Sequence, residues 1–252
     1  MKNGKNNSGF IIGLLVGLII MLVAVIFLFV TNTIGINNSK TVNGDDSVKE
    51  RMQEENKTET SDNLDNVRYS LIIDEYRSAM NDGNYEDDSN KYSNINTNML
   101  HLYHSNGKNV IFNYAFYDIN GDGKNEMIVG DGSEGIYEIY TYDGSKVERF
   151  FNSVCLGERC AAQIYDNGIV YFNGSGGASV HSYSFYKIGS DGYSKEIIKS
   201  YIAEYDESGN VTITDDVTKA VTSFKKSDEL IASVVGNGKV VDLSKINWIE
   251  IK

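Results

Sequence analysis

The chain contains no proline, two cysteines, one tryptophan and three histidines among its 252 residues. Without proline it is neither a collagen nor a proline-rich scaffold. Two cysteines leave a zinc site without its usual set of four soft ligands. Basic residues are also scarce, 23 Lys and Arg against 35 Asp and Glu, for a net charge of −12. No basic stripe remains to contact phosphates, which argues against nucleic acid as a partner. No G-x-S-x-G, H-E-x-x-H or Walker-type run marks a catalytic centre. What is present is 41% hydrophobic residues with 17 Tyr and 10 Phe, and abundant Asn, Asp and Gly. That mixture suits a globular chain of β-strands joined by tight turns.

Residues 10–30 are apolar or glycine without exception. As a helix they would reach about 30 Å, the thickness of a bilayer's hydrocarbon core. A cleaved signal peptide would carry a shorter apolar stretch, roughly 7–15 residues, ending in a small-residue site. This run instead exits through Phe29-Val30-Thr31-Asn32, so it is read as an uncleaved transmembrane helix. Lys2 and Lys5 precede it and the next basic residue is Lys40. The positive-inside rule then places residues 1–9 in the cytoplasm and the remainder outside the plasma membrane. Gly9, Gly13 and Gly17 form a small-xxx-small ridge through which two such helices would pair as a homodimer.

Residues 31–63 hold few large apolar side chains and read as a solvated linker. Structure is expected from Leu64 to Lys252. Leu64, Val67, Leu71, Ile72, Tyr76 and Met80 recur at helical spacing, with Ser61 and Asp62 as caps and Asn81-Asp82-Gly83 as the stop. A second helical turn is expected over Ile95–Tyr103. From Val110 the apolar period becomes two, and turn pairs such as Asp143-Gly144, Asn167-Gly168, Asp191-Gly192 and Gly209-Asn210 divide it into strands. The expected fold is α+β. One or two helices would pack on an antiparallel β-meander, arranged as a sheet, a sandwich or part of a propeller. A short helix from Ser227 to Gly236 and a last strand at Trp248-Ile249 would complete it.

Residues 118–126 read Asp-Ile-Asn-Gly-Asp-Gly-Lys-Asn-Glu. Oxygen-bearing side chains at alternate positions of a tightly wound loop suit calcium, which takes six to eight oxygens at about 2.3–2.6 Å. Asp118, Asn120, Asp122 and Glu126 would supply side-chain oxygens and Lys124 its carbonyl, with Gly123 permitting the turn. An EF-hand would need a bidentate Glu at position 12, which is Val129. A metal-free hairpin held by Asn and Asp side chains is the alternative.

The run from Phe116 to Gly130 resembles the calcium loop of FG-GAP and VCBS-type β-propeller repeats, D-x-[DN]-x-D-G-x-x-D before an apolar strand. Glu126 departs from the usual Asp, and the loop occurs once where a propeller repeats it. The wider arrangement resembles membrane-anchored surface proteins of Gram-positive bacteria. The anchor, the linker, the Leu-Ile-Ile-Asp-Glu-Tyr helix, the Tyr-Ala-Phe-Tyr-Asp strand and the late Asp-Glu-Leu helix carry that likeness. It implies an extracytoplasmic location and no particular activity.

Cys155 and Cys160 flank Leu-Gly-Glu-Arg. Outside the membrane a disulfide closing this short loop is chemically open to them, with two free thiols as the alternative. His101 and His104 are spaced to share a metal, yet no third ligand is indicated. The leading expectation is a single-pass membrane protein whose outer domain binds an extracytoplasmic protein or cell-wall ligand and is stiffened by calcium. The rival is a cell-envelope hydrolase or its accessory subunit. It would require carboxylates converging in a cleft.

Overall fold

The computed structural model describes residues 46–83, 91–106, 109–152, 156–157 and 159–252. The apolar run at 10–30, residues 1–9 and the ridge Gly9, Gly13 and Gly17 lie outside them. Among the described residues no helix is long and apolar enough to cross a membrane. The chain divides into two units, Met1–Gln53 and Glu54–Lys252. The fold below is that of the second, together with the start of its leading helix, which lies in the first.

Helix α1 runs from Asp46 to Asn81, well ahead of the start expected at Leu64. Ser61 and Asp62, read as caps, lie inside it. The reason is local: the segment has no Gly or Pro, and its Glu, Lys, Arg, Gln and Met residues have good helix propensity. The face it buries also differs. Tyr69, Ile72, Ile73, Tyr76, Ala79 and Met80 are buried, whereas Leu64, Val67 and Leu71 are 51%, 68% and 80% exposed. Two tyrosines at helical spacing carry more area than a Leu and a Val, so they set which side faces inward.

The elements that follow are α2 (Thr97–Ser105), β1 (Asn113–Tyr117), β2 (Glu126–Gly130), β3 (Ile136–Tyr142), β4 (Val147–Arg149) and β5 (Cys160–Ile164). After them come β6 (Val170–Ser175), β7 (Val180–Ile188), β8 (Lys195–Tyr205), β9 (Val211–Asp215), α3 (Ser227–Val235) and β10 (Ile249–Glu250). The fold is α+β, with two antiparallel sheets ordered β10-β1-β2-β3-β4 and β5-β6-β7-β8-β9.

Side-chain alternation stacks these elements in layers. Met127 and Val129 of β2 join Tyr69, Ile72 and Tyr76 of α1 and Leu100 of α2 in one core. Ile128, between them, points the other way, into a second core with Ile139, Phe150, Phe151, Ile164 and Val170. That core joins the two sheets, through contacts such as Phe151 on Phe172. Tyr171, Tyr183 and Phe185 face the far side and pack with Leu230 and Val235 of α3. The order is therefore helices, sheet, sheet, helix. Strand β2 is buried along its whole length because both its faces are covered.

The outer strands are short or partly covered. Strands β4 and β10 have three and two residues. The Val241 amide donates to Ile164 O and that of Gly157 to Cys160 O on β5, and the Thr222 amide donates to Ile213 O on β9.

Aspartates fasten the turns. Asp143 accepts from the Ser145 and Lys146 amides, Asp191 from those of Tyr193 and Ser194, and Asp206 from those of Ser208 and Asn210. Asp215 and Asp242 do the same for Val217, Thr218 and Ser244. These bonds favour the charged form, so each carboxyl is held below its ordinary value. The first cause is the Lys146 amide for Asp143, the Ser194 amide for Asp191, the Asn210 side chain for Asp206, the Thr218 amide for Asp215 and the Lys245 ammonium for Asp242. A depressed folded-state pKa gives stability that is present above the unfolded value, 3.8, and is lost as pH falls below it. Urea midpoints should therefore fall as pH is lowered below about 4 and these aspartates take up protons. Midpoints that stay level below that pH would mean the turn bonds are equally present in the unfolded chain.

Two buried polar groups tie the layers together. Asn96 is fully buried; its Oδ1 accepts from the Met99 amide to cap α2, and its Nδ2 donates to Tyr137 O and Leu156 O. Its own amide donates to Tyr76 Oη. Glu138 is also fully buried; it accepts from Arg149 Nε at 3.0 Å and from the Phe151 and Ile139 amides at 2.9 and 3.1 Å. Arg149 Nη1 donates onward to Ser93 O.

Candidate metal centre

The loop between β1 and β2 is closed by the pairing of Tyr117 with Glu126. Inside it, side-chain oxygens organise the backbone. Asp118 Oδ1 accepts from the Gly121 and Asp122 amides at 2.7 and 3.1 Å, and its Oδ2 from the Gly123 amide at 2.9 Å. Asn120 Oδ1 accepts from the Asp122 amide and Asp122 Oδ1 from the Lys124 amide. Gly121 and Gly123 have φ of 75° and 84°, a left-handed conformation that glycine adopts without a Cβ penalty. Glu126 reaches back across the loop, its Oε2 accepting from the Ile119 amide at 2.8 Å.

Glu126 is 2% exposed. Burial pushes its carboxyl up to about 8, despite the Ile119 hydrogen bond, and the charges of Asp122 and Asp118 add to the rise. Two aspartates, the buried carboxyl of Glu126 and one amide oxygen thus share a small loop that is short of positive charge. Their donor chemistry fits a hard divalent cation. Among the described residues no three His, Cys, Asp or Glu side chains stand close enough to hold an ion as they are placed. Asp118 accepts from the loop's own amides with both oxygens and Asp122 with Oδ1.

Three other elements close on this loop. From α1, Tyr69 Oη donates to Asn125 O at 3.0 Å, and Asp65 Oδ2 accepts from Asn125 Nδ2 at 2.7 Å. From the β7–β8 turn, a Cβ on Gly192 would sit 2.9 Å from Asp122 Oδ2. From the β5–β6 turn, a Cβ on Gly168 would sit 3.3 Å from Ile119 O. Asp65, Tyr69 and Asn125 carry no mark in the sequence. Asn125 falls between the alternating ligand positions, and its partners lie 60 and 56 residues away.

Of the other candidates, Cys160 is disulfide-bonded and Cys155 lies outside the described residues. His104 Nε2 is engaged with Ala79 O at 2.9 Å, an attachment between α2 and α1.

No family model matches the chain, and no curated protein does. Among solved structures it is similar to one described as a Xanthomonas type IV secretion system related protein, with 18% identity and a TM-score of 0.30. The likeness covers 43% of this chain and 57% of that one. At that score it carries no argument about fold or function.

Proposed function

We propose that this is a membrane-anchored, extracytoplasmic binding or interaction module whose β1–β2 loop takes a structural calcium ion. The observation that carries the metal reading is Glu126, a carboxyl group 2% exposed whose ionisation is opposed by burial and by the charges of Asp122 and Asp118. Calcium bound there would supply the positive charge that this set lacks. Asp118, Asn120, Asp122 and Glu126 are the side chains that would hold it, with the Lys124 carbonyl. The chain's own part is to wind the loop through the Asp118 hydrogen bonds and to keep Glu126 out of water. The anchoring part of the reading rests on residues 10–30 and their charge flanks.

The hydrolase reading asks for a free carboxylate pair in a concavity. A cavity of about 310 Å³ beside β5 is lined by both Glu134 and Asp242. Asp242, however, caps Ser244 and pairs with Lys245 at 2.8 Å, so its carboxylate is already committed.

The test uses the full-length chain in lipid vesicles, with which it should float. At free calcium tenfold above Kd, stabilisation should be about 1.4 kcal/mol relative to chelator. For a domain of this size that raises Tm by roughly 2–6 °C. Asp122→Ala should abolish the calcium response while leaving Gly123 to make the turn. Wild-type melting curves that superimpose with calcium and with chelator would sink the metal reading.

A further inference from the structure

We propose that α1 belongs to the calcium site: Asp65 and Tyr69 position Asn125 and Glu126 for the ion, and the bound ion in return locks α1 onto the sheet. This rests on the calcium reading above and adds to it a pair of positioning residues and a direction of transmission.

The contacts are specific. Asn125 sits between Lys124, whose carbonyl is a proposed ligand, and Glu126, the buried carboxylate. Both polar ends of Asn125 are taken by one helix. Its Nδ2 donates to Asp65 Oδ2 at 2.7 Å and its carbonyl accepts from Tyr69 Oη at 3.0 Å. Asp65 is 1% exposed and Tyr69 is fully buried. Arg68 pairs with Asp65 Oδ1 at 2.8 Å, leaving Oδ2 to Asn125. The Tyr69 ring stacks on Phe116 of β1 at 5.8 Å between centroids, so the hydroxyl is aimed by packing rather than by chance. Asn125, the residue between Lys124 and Glu126, is therefore held from the α1 side while Asp118 and Asp122 are held from within the loop.

Coupling of this kind is reciprocal. If docked α1 improves the loop's affinity for calcium by some factor, calcium strengthens the docking of α1 by the same factor. Helix α1 is also the element that leads from the sheets back toward the N-terminal residues. Calcium level outside the cell would thus be read as how firmly the sheets hold the helix that precedes them.

The experiment is hydrogen exchange on the full-length chain in detergent micelles, with calcium or with chelator, reading the amides of residues 65–76. Calcium affinity is measured alongside by titration. In the wild type, calcium should slow exchange there by at least about tenfold, within the usual span of allosteric couplings. The double variant Tyr69→Phe, Asn125→Ala keeps every proposed ligand. It should bind calcium at least about fivefold more weakly and show no calcium-dependent slowing. A wild type that binds calcium with unchanged exchange in α1 overturns this inference and leaves the metal site standing. A double variant that keeps both affinity and slowing does the same. A wild type that binds no calcium removes both readings. Should the double variant fail to fold, Asn125→Ala alone and the wild-type comparison still decide.

Discussion

Arg149→Met should destabilise the folded chain by about 3–5 kcal/mol, because it strands a buried carboxylate without its cation. Glu138 is fully buried and takes the guanidinium at Nε, so little water can replace that partner. The loss should depend on pH in a defined direction. Burial, the largest influence, raises the Glu138 carboxyl above its ordinary 4.5, and Arg149 opposes that rise. Without Arg149 the folded form binds its proton more tightly still. A raised folded-state pKa in an acid means the folded chain binds more protons than the unfolded one over the window above 4.5. Stability in the variant should therefore recover as pH is lowered from 7 toward 5, and the gap to wild type should narrow. Denaturant melts at the two pH values measure it. Glu138→Gln added to Arg149→Met should restore part of the loss, since a neutral amide can still accept from the Phe151 amide. A gap below about 1 kcal/mol that is the same at both pH values, as for an exposed ion pair, would refute the argument.

Asn96→Ala should be nearly as damaging, about 3–4 kcal/mol. The cap on Met99 contributes about 1 kcal/mol. Each of the two buried carbonyls left without a donor, Tyr137 O and Leu156 O, adds roughly 1–3 kcal/mol before relaxation. Asn96→Asp separates the two effects. It keeps the capping oxygen but faces both carbonyls with an acceptor, so it should be no better than alanine. An aspartate variant close to wild type in thermal melting would show that capping alone accounts for Asn96.

Much of this fold is legible locally. The turn pairs Asp143-Gly144, Asn167-Gly168, Asp191-Gly192 and Gly209-Asn210 each fall between strands where period-two patterning stops. The short helix before Gly236 and the closing strand at Ile249 follow from the same kind of signal. The separation into two sheets is not local. It follows from Phe150 and Phe151, which end β4 by turning into the core between the sheets. In sequence they look like two more strand residues. The face of α1 misleads for a related reason. Leu71 and Ile72 are equally apolar, and only the aromatic weight of Tyr69 and Tyr76 decides which turns inward. The tight winding of the loop at 118–126 is legible because its oxygen-bearing side chains alternate along a short stretch of chain. Asp65 and Tyr69 are not, since a contact across 60 residues leaves no period.

Under the proposed membrane anchoring, the trimmed and covered sheet edges have a consequence. Many copies fixed to one membrane meet at high local concentration, and an open strand would let each copy extend its sheet into the next. With β4 three residues long, β10 two, and β5 and β9 already receiving amides from Gly157, Val241 and Thr222, there is little ladder left to share. Crowding would then bring the copies together through side chains alone, leaving each a separate particle that can still turn to meet a partner.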